Sequence, residues 1–386
     1  MHSFFPESYE ASRSRFLHDV EQLRAKWPSS QLESYSLKNA LDLNIDWLWA
    51  EPPVKNRLVI ISTAEHGIEG YVGSAMLKLF MEEFAPRIDA EITGLLLIHA
   101  INPWGMKHHY RVNPQHVDLN RNFVFDGNYS PDINPDYDLI ADFLNPRRPA
   151  RTLGSETIPF LGKVIGNMIH PGKARVQAAS LLGQHRHPNG IYFGGTELQE
   201  ETALLIGLYR KALADYQHVI QMDMHTGYGP RDQMTIIVPP LDPMSSVEAA
   251  QKFRYPLVQK IDVNEFYAIS GDMGEYVYCL RDSEFPDTKL FVCGFEFGTF
   301  GDSLPALIRS LHITVLENQL RHFGGVDSRA AEQIRAEYEE LFFPSEIVWR
   351  EKALADGRQA FEGILTAHGI LSNPSESNVS SPPEIL

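Results

Sequence analysis

The chain has 386 residues, of which 43% are hydrophobic and 22% charged, and its formal net charge is -16. Such a composition belongs to a globular protein with a real core, and the acidity argues against nucleic acid or an anionic membrane surface as partner, since either calls for a basic face. Its two cysteines, Cys279 and Cys293, exclude a disulfide framework and cannot by themselves make a zinc site, so both are expected to be reduced core residues.

The first residues, "MHSFFPESYEASRSRF", lack a basic stretch followed by an apolar one, and no apolar run reaches the length of about 18 that a membrane helix needs. A cytoplasmic, membrane-free protein is expected. Residues 8–27 place Phe16, Val20, Leu23 and Trp27 at three- and four-residue spacing and predict an amphipathic helix. "LDLNIDWLW" then puts Leu43, Ile45, Trp47 and Trp49 at alternate positions, the pattern of a half-buried strand. Short, nearly continuous apolar runs follow at 57–63, 92–100, 218–225, 234–239 and 289–298, as in strands buried on both faces. Helical stretches near 70–85, 197–215, 246–260 and 302–322 lie between or after them. The alternation predicts an α/β fold, a mixed, mostly parallel twisted sheet with helices on both faces. Residues 1–325 are expected to form one catalytic domain, interrupted at about 126–190 by a Pro-, Gly-, Asn- and Arg-rich insertion. Helices at 326–370 would pack on it, and 371–386 would be a disordered tail.

Three strand ends carry the chemistry. "STAEHGIEGYVG", 62–73, sets His66 and Glu69 three apart where an apolar run breaks into glycines. His225 closes "HVIQMDMH", and Glu296 sits near the end of "LFVCGFEFGTFG". Ligands of open α/β sheets bind beyond the carboxyl ends of the strands. Two histidines and a carboxylate make the ligand set of a catalytic zinc that keeps a position open for water, and Glu296 would be a free carboxylate beside it. Zinc lowers the pKa of that water toward about 7, and the glutamate can take the proton and pass it to a leaving nitrogen. Any one of these residues alone reads more simply as a solvated helix pair or a satisfied core residue. It is their coincidence at three strand ends that favours a site. Asp223, two residues before His225, is expected to point away from the metal, with its role open between a core and a supporting hydrogen bond.

The segment "INPWGMKHHYRVNPQHVDLNRNF", 101–123, adds a family likeness. With it, residues 58–300 resemble the carboxypeptidase A-like zinc peptidase superfamily in the order of their motifs, and "HGIE" and "DMHTG" are similar to those of its succinylglutamate desuccinylase and aspartoacylase branch. The resemblance implies one Zn2+ per chain on His66, Glu69 and His225, with Glu296 as general base and acid. It further implies that Asn120 and Arg121 grip a substrate carboxylate, where a planar guanidinium fork suits a bidentate contact, and that Arg111 faces the scissile carbonyl. "FYAISGDMGEY", 266–276, is similar to the segment carrying a mobile catalytic tyrosine and the pocket floor, which assigns Tyr267 and Gly274 to those roles. Ile68 stands where carboxypeptidases commonly have Arg, so one substrate-contacting cation is missing. The implied activity is hydrolysis of an amide bond next to a free terminal carboxylate in a small peptide. The alternatives are an N-acyl amino acid deacylase and a non-catalytic zinc or peptide binding protein. No G-x-S-x-G or G-x-G-x-x-G motif speaks for a serine hydrolase or a dinucleotide enzyme.

Overall fold

A computed structural model describes residues 4–38, 40–167, 179, 182–261 and 270–372. Among them runs an eight-stranded mixed sheet of β1 (Gln31–Leu37), β2 (Ala40–Ala50), β3 (Arg57–Thr63), β4 (Thr93–His99), β5 (His218–Thr226), β6 (Met234–Val238), β7 (Val258–Lys260) and β8 (Lys289–Phe297). Their spatial order is β1-β2-β4-β3-β5-β8-β6-β7. The four central strands β4, β3, β5 and β8 pair in parallel, while β1, β2 and β6 are joined antiparallel to their inner neighbours. Central strands covered on both faces need apolar side chains throughout, which is why β3 and β4 are almost entirely buried. The edge strand β1 reads "QLESYSL" and is largely exposed. Its polarity gave no strand signal, and the sequence reading passes over it.

One face of the sheet carries α1 (Tyr9–Leu23), α2 (Gly70–Leu79), α11 (Ile347–Ala367) and α7 (Ser246–Phe253), each touching the next in that order. On the other face α6 (Glu200–Asp215) and α8 (Met273–Glu284) pack together. The helix expected to run from 246 to 260 stops at Phe253. Arg254 turns left-handed (φ 51°), Pro256 bars the helical conformation for the residue before it, and 258–260 joins the sheet as β7. Within the insertion lie α4 (Tyr137–Leu144) and α5 (Leu153–Asn167), whose Tyr137, Ile140, Phe143, Phe160 and Val164 form a small apolar cluster. That cluster rests on Ile308, Leu311 and Val315 of α9 (Leu304–Phe323). A further cluster joins α9 to α10 (Ser328–Phe342) and encloses Ile68. Cys279 and Cys293 are both unpaired, the latter buried. No helix of the described residues is long and apolar enough to cross a membrane.

Candidate metal centre

From β3 the chain crosses to β4 on one side and later to β5 on the other, so the carboxyl end of β3 is the switch point of the sheet, where loops diverge and leave a crevice. Leaving β3, the backbone turns sharply at Ala64 (φ 60°), and leaving β4 it does so again at Ala100 (φ 57°). The two corners are laced together: the amide of Ile101 donates to the Thr63 carbonyl and that of Asn102 to the Ala64 carbonyl. Asn102 caps a short helix α3 (Pro103–His108) and also donates from Nδ2 to the carbonyl of Arg111, which gives their nine-residue spacing a structural meaning. Gly67 lies flat on α3. A Cβ at that position would come within 2.2 Å of the Gly105 carbonyl carbon, so the turn between His66 and Glu69 has room only for glycine.

The result is a tight group of buried donors. His66 Nδ1 lies 3.0 Å from a Glu69 carboxylate oxygen. His225 Nδ1 lies 3.3 Å from His66 Nδ1 and 3.2 Å from the other Glu69 oxygen. The remaining nitrogen of each ring faces a carboxylate: His66 Nε2 is 3.0 Å from Asp118 Oδ1, while His225 Nε2 is 2.5 Å from Asp223 Oδ2 and 3.6 Å from Glu65 Oε2. The Asp118 hydrogen bond fixes the orientation and tautomer of the His66 ring, while the Asp223 contact of His225 is one of charge. Asp223 was expected to point away from the metal. It stands instead on the face of β5 that carries His225, as residues two apart on a strand must.

Glu296 is directly opposite His225 in the parallel pairing of β5 with β8, and its carboxylate accepts a 2.9 Å hydrogen bond from the Tyr228 amide. Burial and the neighbouring Glu69 charge push its pKa up to about 7, against smaller opposing effects of His225, that amide and Arg111. Burial would also raise the Glu69 carboxyl, but its interactions with His66, His225 and Arg111 prevail and hold it well below the usual range. Arg111 is a half-buried member of this group rather than a surface cation, with Nη1 3.1 Å from Glu69 and Nε 3.1 Å from Asp118.

A cavity of about 610 Å³ opens onto these residues. Its wall includes His66, Arg111, Asn120, Arg121, His225, Gly274 and Glu296. Arg121 lies under Tyr192 with its guanidinium 5.8 Å from the ring centroid, and Asn120 accepts from the Met273 amide at the start of α8. Gly274 lines the cavity but is not surrounded by free space: a Cβ there would stand 2.9 Å from Pro239 and 3.3 Å from Val292. Tyr267 lies outside the described residues, as does the chain from 373 onward.

Several participants were not named from the sequence. Asp118, the acid of "VDLNRNF", binds both His66 and Arg111, and its place beside Asn120 and Arg121 was the available signal. The insertion and the C-terminal helices supply an apolar wall, including Phe143, Val164, Ile308 and Phe342, for which no local signal exists.

A family model described as "Protein of unknown function (DUF2817)" matches residues 5–356. The chain belongs to this family. No curated protein matches it in sequence. Among solved structures, the family member is similar to bovine thrombin-activatable fibrinolysis inhibitor in complex with tick carboxypeptidase inhibitor, at 14% identity over 82% of this chain and 96% of that one, with a TM-score of 0.46. It is also similar to carboxypeptidase A from Helicoverpa armigera, at 13% identity over 86% and 75% of the two chains and a TM-score of 0.48. A succinylglutamate desuccinylase from Silicibacter sp. TM1040 matches at 14% identity over 76% and 65%, with a TM-score of 0.35.

Proposed function

We propose that this DUF2817 protein is a zinc-dependent hydrolase that cleaves an amide bond next to a free terminal carboxylate. The reading rests above all on the mutual approach of His66 Nδ1, Glu69 and His225 Nδ1, two buried donors and one partly buried within 3.3 Å of one another. One carboxylate and two imidazoles, that of His66 steadied at its other ring nitrogen by Asp118, suit zinc better than a hard ion such as magnesium. When bound, the metal supplies Lewis acidity and makes a water acidic near neutral pH. Glu296, with its pKa pushed up to about 7, would accept a proton from the attacking water and return it to the leaving nitrogen. Arg111 adds a fixed cation on the wall where an oxyanion would form, and Arg121 with Asn120 holds the terminal carboxylate.

The test has two parts. Purified protein is expected to hold zinc, and His225→Ala to lose it; unchanged zinc content in that variant refutes the ligand set. A panel of short peptides and N-acyl amino acids then identifies the best substrate, whose amidated form should be cleaved more slowly by an amount corresponding to about 1.5–3 kcal/mol per lost charged hydrogen bond. Equal cleavage of free-acid and amidated forms rejects the carboxylate role of Arg121. The "HGIE" and "DMH" motifs favour the second reading, a deacylase, and preference for N-acyl amino acids over peptides would select it.

A further inference from the structure

Behind His225 lies a second group of donors that the proposed reaction does not use. Glu65 follows the strained corner at Ala64 and is completely buried, and neither of its carboxylate oxygens has a hydrogen-bond partner in the protein. Asp223, also buried, accepts from the Ser62 hydroxyl through Oδ1 at 2.5 Å. Its Oδ2 approaches His225 Nε2 at an angle that makes no hydrogen bond. The side chains of Glu65, Asp223 and His225 bring one donor atom each within 4.8 Å of the others.

An unpaired buried carboxylate is costly, because the low dielectric around it neither solvates nor screens the charge. Here Glu65 has no hydrogen-bond partner, and Asp223, held by Ser62 and close to His225, adds a second acid beside it. The charges that reach Glu65 are those of Asp223, Asp272 and Asp118, all of its own sign, opposed by His225 alone. The nearby guanidiniums are turned elsewhere: Arg111 binds Glu69 and Asp118, and Arg121 donates from Nη1 to the Asn120 carbonyl. What the pocket lacks is a small cation. All three residues line the cavity, which gives an ion a route in.

We propose that Glu65, Asp223 and the Nε2 side of His225 form a second divalent-cation site that shares His225 with the first centre. His225 turns Nδ1 toward His66 and Glu69 and Nε2 toward the two acids, so one ring serves both ions and releases its proton to solvent. Two carboxylates and an imidazole suit zinc or manganese. The inference rests on the proposed first centre only through His225.

The experiment uses the full chain, stripped with a chelator, reloaded with Zn2+ and freed of excess metal, with stoichiometry read by native mass spectrometry and elemental analysis. Wild type is expected to hold two zinc ions, and both Glu65→Gln and His66→Ala to hold one. Asp223→Asn provides a second way of removing the inner site should Glu65→Gln fail to fold, and it too should hold one. Loading with Co2+ should give magnetic coupling between two ions that disappears in Glu65→Gln. One zinc in wild type, lost in His66→Ala but kept in Glu65→Gln, leaves the first centre standing and overturns the second. Two ions in Glu65→Gln also overturn it, since the extra ion would lie elsewhere. A single-zinc wild type whose Glu65→Gln variant changes only substrate preference would assign the acids to a cation on the substrate, against the proposal. No zinc in any form removes both sites.

Discussion

Glu296 owes its proposed role to its position in the sheet. Register places it opposite His225, and the flanking Phe295 and Phe297 are buried in the core. Glu296→Gln keeps the shape and the acceptor for the Tyr228 amide but cannot carry a proton. It is expected to retain zinc and fold while turnover falls by about 10²–10⁴-fold, as when a general base is removed. Near-normal turnover in that variant would exclude the role. Arg121 makes a different prediction, because a group that holds the ground-state carboxylate acts mainly on binding. Arg121→Ala should raise KM for a free-acid substrate far more than for its amide, and Arg121→Lys should recover only part of the loss, since an ammonium cannot form the bidentate fork. Steady-state kinetics on both substrate forms reads the difference. Ile68 contributes packing at the position where an Arg is missing. It is fully buried among Ile313, Leu316, Ile334 and Tyr338, so its side chain belongs to the packing of α9 and α10 and not to the cavity wall.

Between strand and strand, the turn after β3 decides whether the donors meet. Its amides at Gly67 and Ile68 donate to the carbonyls of Arg111 and Tyr110, which locks the His66–Glu69 turn to the segment carrying Arg111. Gly67→Ala would drive a Cβ into the backbone of Gly105 and Met106, which are not flexible side-chain ends that can swing aside. Destabilisation by about 1–3 kcal/mol is expected, with weakened zinc retention even though no ligand has changed. Denaturant unfolding and metal analysis of the variant check both effects; wild-type stability together with wild-type zinc content would show that the turn tolerates the shift.

The whole molecule stores several acids away from water, with consequences for its pH profile. Glu201 in α6 is buried, and burial chiefly, with Glu200 adding and Asn113 partly offsetting, pushes its pKa up to about 7 from an ordinary 4.5. Glu317 in α9 is likewise pushed up to about 7 by burial, against Arg321 and Arg335. Between those values the unfolded chain has released a proton that the folded chain still holds. Stability is therefore fully present below about pH 4.5 and falls as pH rises through 7, by about 1.4 kcal/mol per unit for each such group. Glu201→Gln removes one of these slopes while keeping an acceptor for Asn113. At about pH 8 it should be more stable than wild type by on the order of 2 kcal/mol, and at about pH 4 no more stable; thermal unfolding across that range reads the crossover. A parallel pH dependence in variant and wild type would place the titration elsewhere.

The central sheet was legible because β3, β4, β5 and β8 are buried on both faces and so must be apolar along their length. His66, Glu69, His225 and Glu296 stood out because they lie at or just beyond the carboxyl ends of those runs. Edge strands β1 and β7 escaped because one is largely exposed and the other only three residues long, too short for a period to show. Three-dimensional structure alone decided that Asp118 joins His66 to Arg111, that the insertion and α10 complete the cavity, and that Glu65 and Asp223 share a buried space behind His225. Each of those relations spans distant parts of the chain or depends on a single corner, Ala64, turning at positive φ. Periodicity reports the burial of a residue within its own element, and it carries no record of which remote side chain lies across the gap.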